Sequence, residues 1–362
     1  LGNIQESLEY VDFIIVGQGL AGTVLANALQ EAGQTVRIFN NAELPSSSRV
    51  AAGIFNPVTG RKLVKTWLAD DIFPFLEKYY AKLENRFGQK FFHEIPIYRP
   101  FPNEEVRRFF QNEEIIREFE AFATIEFENS KYQGIVNNEL GGVTTSHSGW
   151  VDLNTFLDVF KAYFSSKDML VNQAFEIESI QLTEDNLVIY KGLKADKLIF
   201  CEGFHGKDNP FFNWLPFNPV KGEVLEVEIE GVHLQEIINQ GAFVVPLPDG
   251  RYKVGATYSW HELDWISTIQ AREELTLKYG KLLKPPFKFI AQKAGVRPAT
   301  KDRRPLIGLH PAFKQLGIFN GLGSKGVSLA PYFAKHFTEF LTEEKELASE
   351  VNINRFASLY LA

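Results

Sequence analysis

Residues 17–22 read Gly17-Gln18-Gly19-Leu20-Ala21-Gly22, a complete G-x-G-x-x-G. The chemistry served by this spacing is the holding of a pyrophosphate. Gly17 permits a tight turn, Gly19 lets backbone approach the anion, and Gly22 lets a helix pack closely on a strand. The N–H groups that open that helix then face the negative charge. A second chemistry-bearing group lies far along the chain, in A-G-V-R-P-A-T-K-D-R-R-P-L-I-G at 294–308. Arg303 and Arg304 belong to a charged run and are expected to face water. Arg297 stands alone in an apolar, proline-bounded stretch. A guanidinium there needs an anion, supplied by an ion pair within the chain or by a ligand, and the residues alone leave both open.

A lone glycine motif is weak, so its meaning rests on the elements around it. Residues 11–17, V-D-F-I-I-V-G, have the β-branched, apolar character of a buried parallel strand. A helical stretch then runs to Gln30, with Leu25, Ala28 and Leu29 on one face. Gly33 is a C-cap, and 35–39 form a second strand. Strand, motif, helix and strand in register predict a dinucleotide site. The second strand of such a unit ordinarily ends in Asp or Glu, which accepts from ribose hydroxyls. Here Asn40 and Asn41 stand at that place, so an uncharged amide would accept instead.

Composition bounds the rest. The chain has 362 residues, 45% hydrophobic and 23% charged, with 32 phenylalanines. One large or two medium domains with an aromatic-rich core are expected. The net charge of −7 makes nucleic acid an unfavoured partner. Arg61, Lys62 and Lys65 form a local basic group that reads as a solvated helix face. One cysteine, Cys201, excludes an intramolecular disulfide, and seven scattered histidines give no metal-site spacing. No apolar run approaches the roughly 18 residues of a membrane helix, and a cytoplasmic location is expected.

Further elements can be placed by pattern. A helix over 153–164 is expected with Asp152 as N-cap, then two strands within 174–190 joined by a turn at 184–186. Residues 197–201 read as a strand before Glu202-Gly203. Residues 223–229 alternate cleanly, and 242–246 and 252–258 flank Asp249-Gly250, a hairpin signal. A last strand at 317–320 leads into the glycine loop 321–326 and a helix from about Ser328. Backbone N–H groups at that helix start are placed to stabilise negative charge.

Several of these blocks resemble the D-amino-acid oxidase and glycine oxidase family of FAD-dependent enzymes. They are Ala51-Ala52-Gly53 with the bulky pair Ile54-Phe55, then Phe217-Asn218-Pro219-Val220-Lys221-Gly222-Glu223. Phe243-Val244-Val245-Pro246, Val254-Gly255-Ala256-Thr257-Tyr258, 294–308 and 320–331 follow in the family's order. The resemblance spans 11 to about 331.

It implies an α/β (α+β) two-domain fold. A Rossmann-like FAD-binding domain at 1–83, 143–215 and 292–362 is interleaved with an antiparallel-sheet substrate domain at 84–142 and 216–291. It implies non-covalent FAD held by Gly17, Gly19, Leu20, Ala21, Gly22, Asn40, Asn41, Ser47, Ser48, Arg49, Ala52, Gly53 and Ile54. Ile177, Cys201, Gly203, Gly321, Gly323, Ser324, Lys325, Gly326, Val327 and Ser328 complete that set. Cys201 is expected to be buried and inert.

In the resemblance, Arg297 grips a substrate carboxylate by a two-point contact. That grip places the α-hydrogen near flavin N5 for hydride transfer, with Ile54, Phe243 and Tyr258 around the substrate. Phe243 replaces the family's pocket tyrosine, Tyr258 its methionine, and Ser324 an arginine found in some members. The implied reaction turns an amino acid or secondary amine into an imine, with O2 or another acceptor taking the electrons. Two alternatives stand beside it. One is an oxidase acting on an aminomethyl-modified tRNA base, because the loop G-S-K-G-V-S-L-A-P is similar to the oxidase domain of that bifunctional enzyme. The other is a flavin-binding protein without turnover.

Overall fold

A computed structural model describes residues 8–60, 64–112, 114, 117, 120–128 and 131–360. Arg61 and Lys62 of the basic group lie outside the described residues. The chain divides into two compact units, each assembled from separated segments: 1–49, 154–220 and 297–362 form the first, and 50–153 and 221–296 the second. The expected boundaries differ from these. Residues 50–83 and 143–153 pack with the second unit because strand Ile54–Phe55 pairs with strand Gly149–Val151, which also pairs with Phe92–Glu94.

The first unit is built on a largely parallel sheet. Its centre is Glu9–Val16, hydrogen-bonded on one side to Val36–Phe39 and on the other to Leu193–Phe200. Leu170–Val171 extends one edge, and Leu316–Asn320 pairs in parallel with the end of Leu193–Phe200. Helix Leu20–Glu31 leaves the first strand through the glycine loop and buries Val24, Leu25, Ala26 and Leu29. The sheet strands carry near-continuous apolar residues because both faces are covered. Their core joins Ile14, Val16, Phe39, Leu198, Phe200, Leu316 and Ile318. The two strands expected within 174–190 are shorter than predicted. Gln181–Leu182 and Val188–Tyr190 pair across a turn with Asn186 at φ 59°, and Ile177–Ser179 is a single 3-10 turn.

The second unit is built on an eight-stranded sheet whose pairings are mostly antiparallel. The predicted hairpin is present: Phe243–Pro246 pairs with Tyr252–Gly255, and Gly250 takes φ 83° in the turn. The second strand ends at Gly255, three residues short of Tyr258. Val220–Glu228 pairs with Tyr252–Gly255. It is buried without interruption from Val220 to Leu225, Glu223 included, and alternates only over its last residues. The clean alternation expected over 223–229 is therefore not met, while Leu225 and Val227 join a core with Val244 and Val254. Helix Ile269–Leu282 packs there through Leu275, Tyr279 and Leu282. Within the stretch at 103–120, helix Glu104–Phe109 starts at Asn103, whose side chain accepts from Val106 N–H. No helix among the described residues is long and apolar enough to cross a membrane. No metal-holding cluster of His, Cys, Asp and Glu occurs among them.

Candidate functional site

The sheet of the first unit aims the carboxyl ends of Glu9–Val16, Leu193–Phe200 and Leu316–Asn320 the same way, and three loops emerge together there. The first is the G-x-G-x-x-G turn. Gly17 has φ 100°, and a Cβ on it would lie 2.7 Å from Cys201 O. A Cβ on Gly22 would lie 1.8 Å from Gly17 O, so only glycine lets the helix sit this close to the strand end. A Cβ on Gly19 would make ordinary van der Waals contact, with Ser48 Oγ the nearest atom at 3.5 Å and Ser46 Oγ at 3.8 Å. Ser48 Oγ also accepts Leu20 N–H at 3.1 Å, which brings the 46–49 turn to the helix start. Ser47 and Ser48 occupy the single-turn helix Ser47–Val50.

The second loop follows Phe200. Cys201 N–H donates to Val16 O, and burial pushes the Cys201 thiol well up, so the thiol is inert at neutral pH. The third loop is the C-terminal glycine run. Asn320 joins it to the second: Nδ2 donates to Gly203 O at 2.9 Å while Oδ1 accepts Gly321 N–H at 2.8 Å. Gly323 N–H donates to Pro298 O at 3.2 Å, which ties this loop to the residue after Arg297. A Cβ on Gly326 would come within 3.2 Å of Leu20 Cδ2, so the two glycine loops are in contact. Helix Gly326–Glu343 begins without a side-chain cap or an acidic residue in its first turn, and buries Val327 and Ser328. Ser324 is exposed. The Lys325 ammonium is held below the usual lysine range by its partial burial and by Arg304 and Arg303 beside it.

Arg297 ends strand Lys288–Arg297 and is half-buried. Its Nη1 is buried without a hydrogen bond, although the residue does interact within the chain. Arg303 is exposed, whereas Arg304 is half-buried and its carbonyl accepts from Thr300 Oγ1.

Four other expected positions carry additional ties. Asn40 Oδ1 accepts Gln18 N–H at 3.0 Å, so the amide braces the glycine turn. Asn41 Oδ1 accepts Glu43 N–H. Arg49 pairs with Asp158 at 2.7 Å and donates to Asn154 O. Ile177 packs against the core of its unit.

In the second unit, Ala52, Ile54 and Phe243 share one apolar cluster with Trp150 and Val245. Gly53 has φ 71°, and a Cβ there would lie 2.0 Å from Val151 O. The Phe243 ring stands 2.6 Å from a would-be Cβ on Gly255, directly across the hairpin. Tyr258 is 56% exposed. Three residues at the strand ends of the first unit escaped the sequence reading: Gln18, Glu202 and Asn320. The available signal was a polar residue adjoining each glycine of the three loops.

The first unit is thus a dinucleotide-binding α/β unit with a second glycine loop opening a helix beside the first. The glycine turn and two helix starts free of acidic residues fit the pyrophosphate and flavin of FAD. The chain belongs to the DAO family of FAD dependent oxidoreductases, whose pattern matches residues 12–340. FAD is the family's cofactor and oxidoreduction its chemistry.

Among curated relatives, a glycine oxidase of Bacillus subtilis is 32% identical over 48% of this chain and 50% of its own length. A bifunctional tRNA 5-methylaminomethyl-2-thiouridine biosynthesis protein of Legionella pneumophila is 25% identical over 82% of this chain and 45% of its own. The chain spans about half the length of these relatives. The crystal structure of a glycine oxidase from Geobacillus kaustophilus shares the fold with a TM-score of 0.79. It is 20% identical, covering 94% of this chain and 96% of that one.

Proposed function

We propose that the chain oxidises the C–N bond of an amino acid or secondary amine to an imine, with Arg297 holding the substrate carboxylate. The observation that carries this reading is the placement of Arg297. The carbonyl of the next residue, Pro298, accepts Gly323 N–H, so the arginine is anchored to the C-terminal glycine loop. FAD, held non-covalently by the glycine loops, supplies the two-electron oxidant. A planar guanidinium takes a carboxylate by two parallel hydrogen bonds, which fixes the substrate's α-carbon as well as its charge. Positioning of this kind supplies much of the rate without a side-chain acid or base. An amine that arrives neutral loses its α-hydrogen with the electron pair and then a proton from nitrogen, and water hydrolyses the imine. O2 or another acceptor closes the cycle.

The test is anaerobic addition of glycine, N-methylglycine, proline and both enantiomers of other amino acids to the purified flavoprotein. Loss of the flavin's visible absorbance with at least one of them is expected. Unchanged absorbance with every one would overturn the reading.

A second reading has one observation in its favour: the tRNA-modifying relative aligns with far more of this chain than the glycine oxidase does. The net charge of −7 opposes it, because phosphate contacts supply most nucleic-acid affinity. Strongly salt-dependent tRNA binding, together with flavin reduction by the modified nucleoside, would establish it.

A further inference from the structure

One buried titratable group at the strand ends has no part in that reading. Glu202 follows Cys201 at the end of strand Leu193–Phe200, in the gap between Gly17 and Asn320. Its Cα lies 3.7 Å from the point where a Gly17 side chain would begin. Its Oε2 accepts Asn209 Nδ2–H at 2.7 Å, and Asn209 is itself 2% exposed. Asn209 is held in turn by accepting Phe211 N–H. Glu202 as a residue is half-buried, and a cleft lies outside the carboxyl ends of parallel strands such as these. In an open α/β sheet that cleft, outside the carboxyl ends of the strands, receives the dinucleotide.

We propose that Glu202 makes FAD binding proton-linked: the carboxyl group must be neutral to lie beside the pyrophosphate, so binding FAD takes up a proton at Glu202. This rests on the strand-end crevice being the FAD site. A carboxylate and a pyrophosphate in one low-dielectric crevice repel strongly, whereas a carboxylic acid can donate a hydrogen bond. Even without the anion, burial raises Glu202 to about 7, against a smaller opposing effect of the Asn209 hydrogen bond. A pyrophosphate beside it raises it further.

The facing groups do not compete in the same range. From the preceding strand, the Cys201 thiol is pushed well up by burial. From the following turn, Gly203–Asp208, His205 is lowered by burial and is neutral above its usual range, and Lys207 is paired with Asp208. Helix Leu20–Glu31 brings no charged residue in its first turn. The loop residues Gln18, Asn209 and Asn320 are uncharged amides.

The sign follows directly. Below about pH 7 Glu202 is already protonated and FAD binds without proton exchange. Above it, each pH unit costs roughly a tenfold loss of affinity, until the pKa of the complex is reached. The experiment dilutes the holoenzyme at a series of pH values from 6 to 9 and follows released FAD by its fluorescence. The wild type is expected to weaken by at least about tenfold between pH 6.5 and 9. Glu202→Gln, which mimics the neutral acid, is expected to stay within about threefold. Asn209→Ala removes the hydrogen bond that lowers Glu202 and is expected to move the wild-type midpoint to higher pH.

Equal pH dependence in wild type and Glu202→Gln overturns the proposal, as does affinity independent of pH in both. If neither protein carries FAD after purification, the crevice is not an FAD site and both readings fall together. If flavin is retained and only the pH difference is missing, the proton linkage alone is refuted.

Discussion

The two units solve the problem of placing groups by different means. The first works with backbone. Gly17, Gly22, Gly321 and Gly326 bring main chain within contact of other elements, and peptide groups at the strand ends, Gln18 N–H and Gly203 O among them, are braced by Asn40 and Asn320. The second works with side chains. Glu223, 3% exposed, accepts from Thr268 N–H, Thr268 Oγ1 and Gln292 Nε2, while Lys221 beside it pairs with Asp264 at 2.5 Å. Thr268 also caps helix Ile269–Leu282, so one carboxylate joins strand, helix start and neighbouring strand. The contrast fits the ligand proposed for each unit. An anionic cofactor is bound by N–H groups and helix dipoles, which need close approach. A selective surface needs side chains of fixed orientation, which need satisfied polar anchors.

The largest effect should come from filling the backbone contact. Gly22→Ala places a Cβ 1.8 Å from Gly17 O, a distance that no side-chain adjustment relieves. The strand and helix must separate, and flavin-to-protein absorbance ratio should fall to zero. Full flavin content would break the argument that close approach builds the site.

Next in size is the anchor of the second unit. Glu223→Ala removes the acceptor of three donors while Lys221 keeps Asp264, and loss of about 2–4 kcal/mol in chemical denaturation is expected. Glu223→Gln keeps one acceptor oxygen for these donors and should lose less. An Ala variant as stable as wild type would show that the network is ornamental.

Arg297→Lys keeps charge but not the planar fork. Flavin content should be unchanged, while flavin reduction by the best amine slows by roughly 10²-fold. Undiminished reduction would remove Arg297 from substrate binding.

The sequence disclosed the first unit far better than the second because its devices are local. The glycines at 17–22 and 321–326 sit in short motifs whose spacing is legible, although the contacts that require Gly17 and Gly326, with Cys201 O and Leu20, come from distant segments. Asn40 was legible as a departure but not as a brace, because its partner, Gln18 N–H, is set by the turn's fold. Glu202 was passed over since nothing local marks a carboxyl as buried; Asn209 reaches it only through the 3-10 turn between them. The hairpin at Asp249-Gly250 was legible, whereas the junction at 50–57 was not. Its allegiance is decided by the pairing of Ile54 with Trp150, nearly a hundred residues on.

The smallest effect separates glycines that the fold uses from one that it merely tolerates. Gly280 lies inside helix Ile269–Leu282, and a Cβ on it would meet nothing within 4 Å. Its carbonyl accepts Asn137 Nδ2–H, a bond that a methyl group on the α-carbon leaves intact. Alanine there needs no unusual backbone and removes freedom only from the unfolded chain. Gly280→Ala should therefore stabilise the protein by about 0.5–1 kcal/mol. Denaturation midpoints for Gly280→Ala and Gly22→Ala, measured side by side, make the comparison quantitative. The same added methyl group should raise one and abolish flavin binding in the other. A destabilised Gly280→Ala would mean that occupied space is not what decides the role of glycine in this chain.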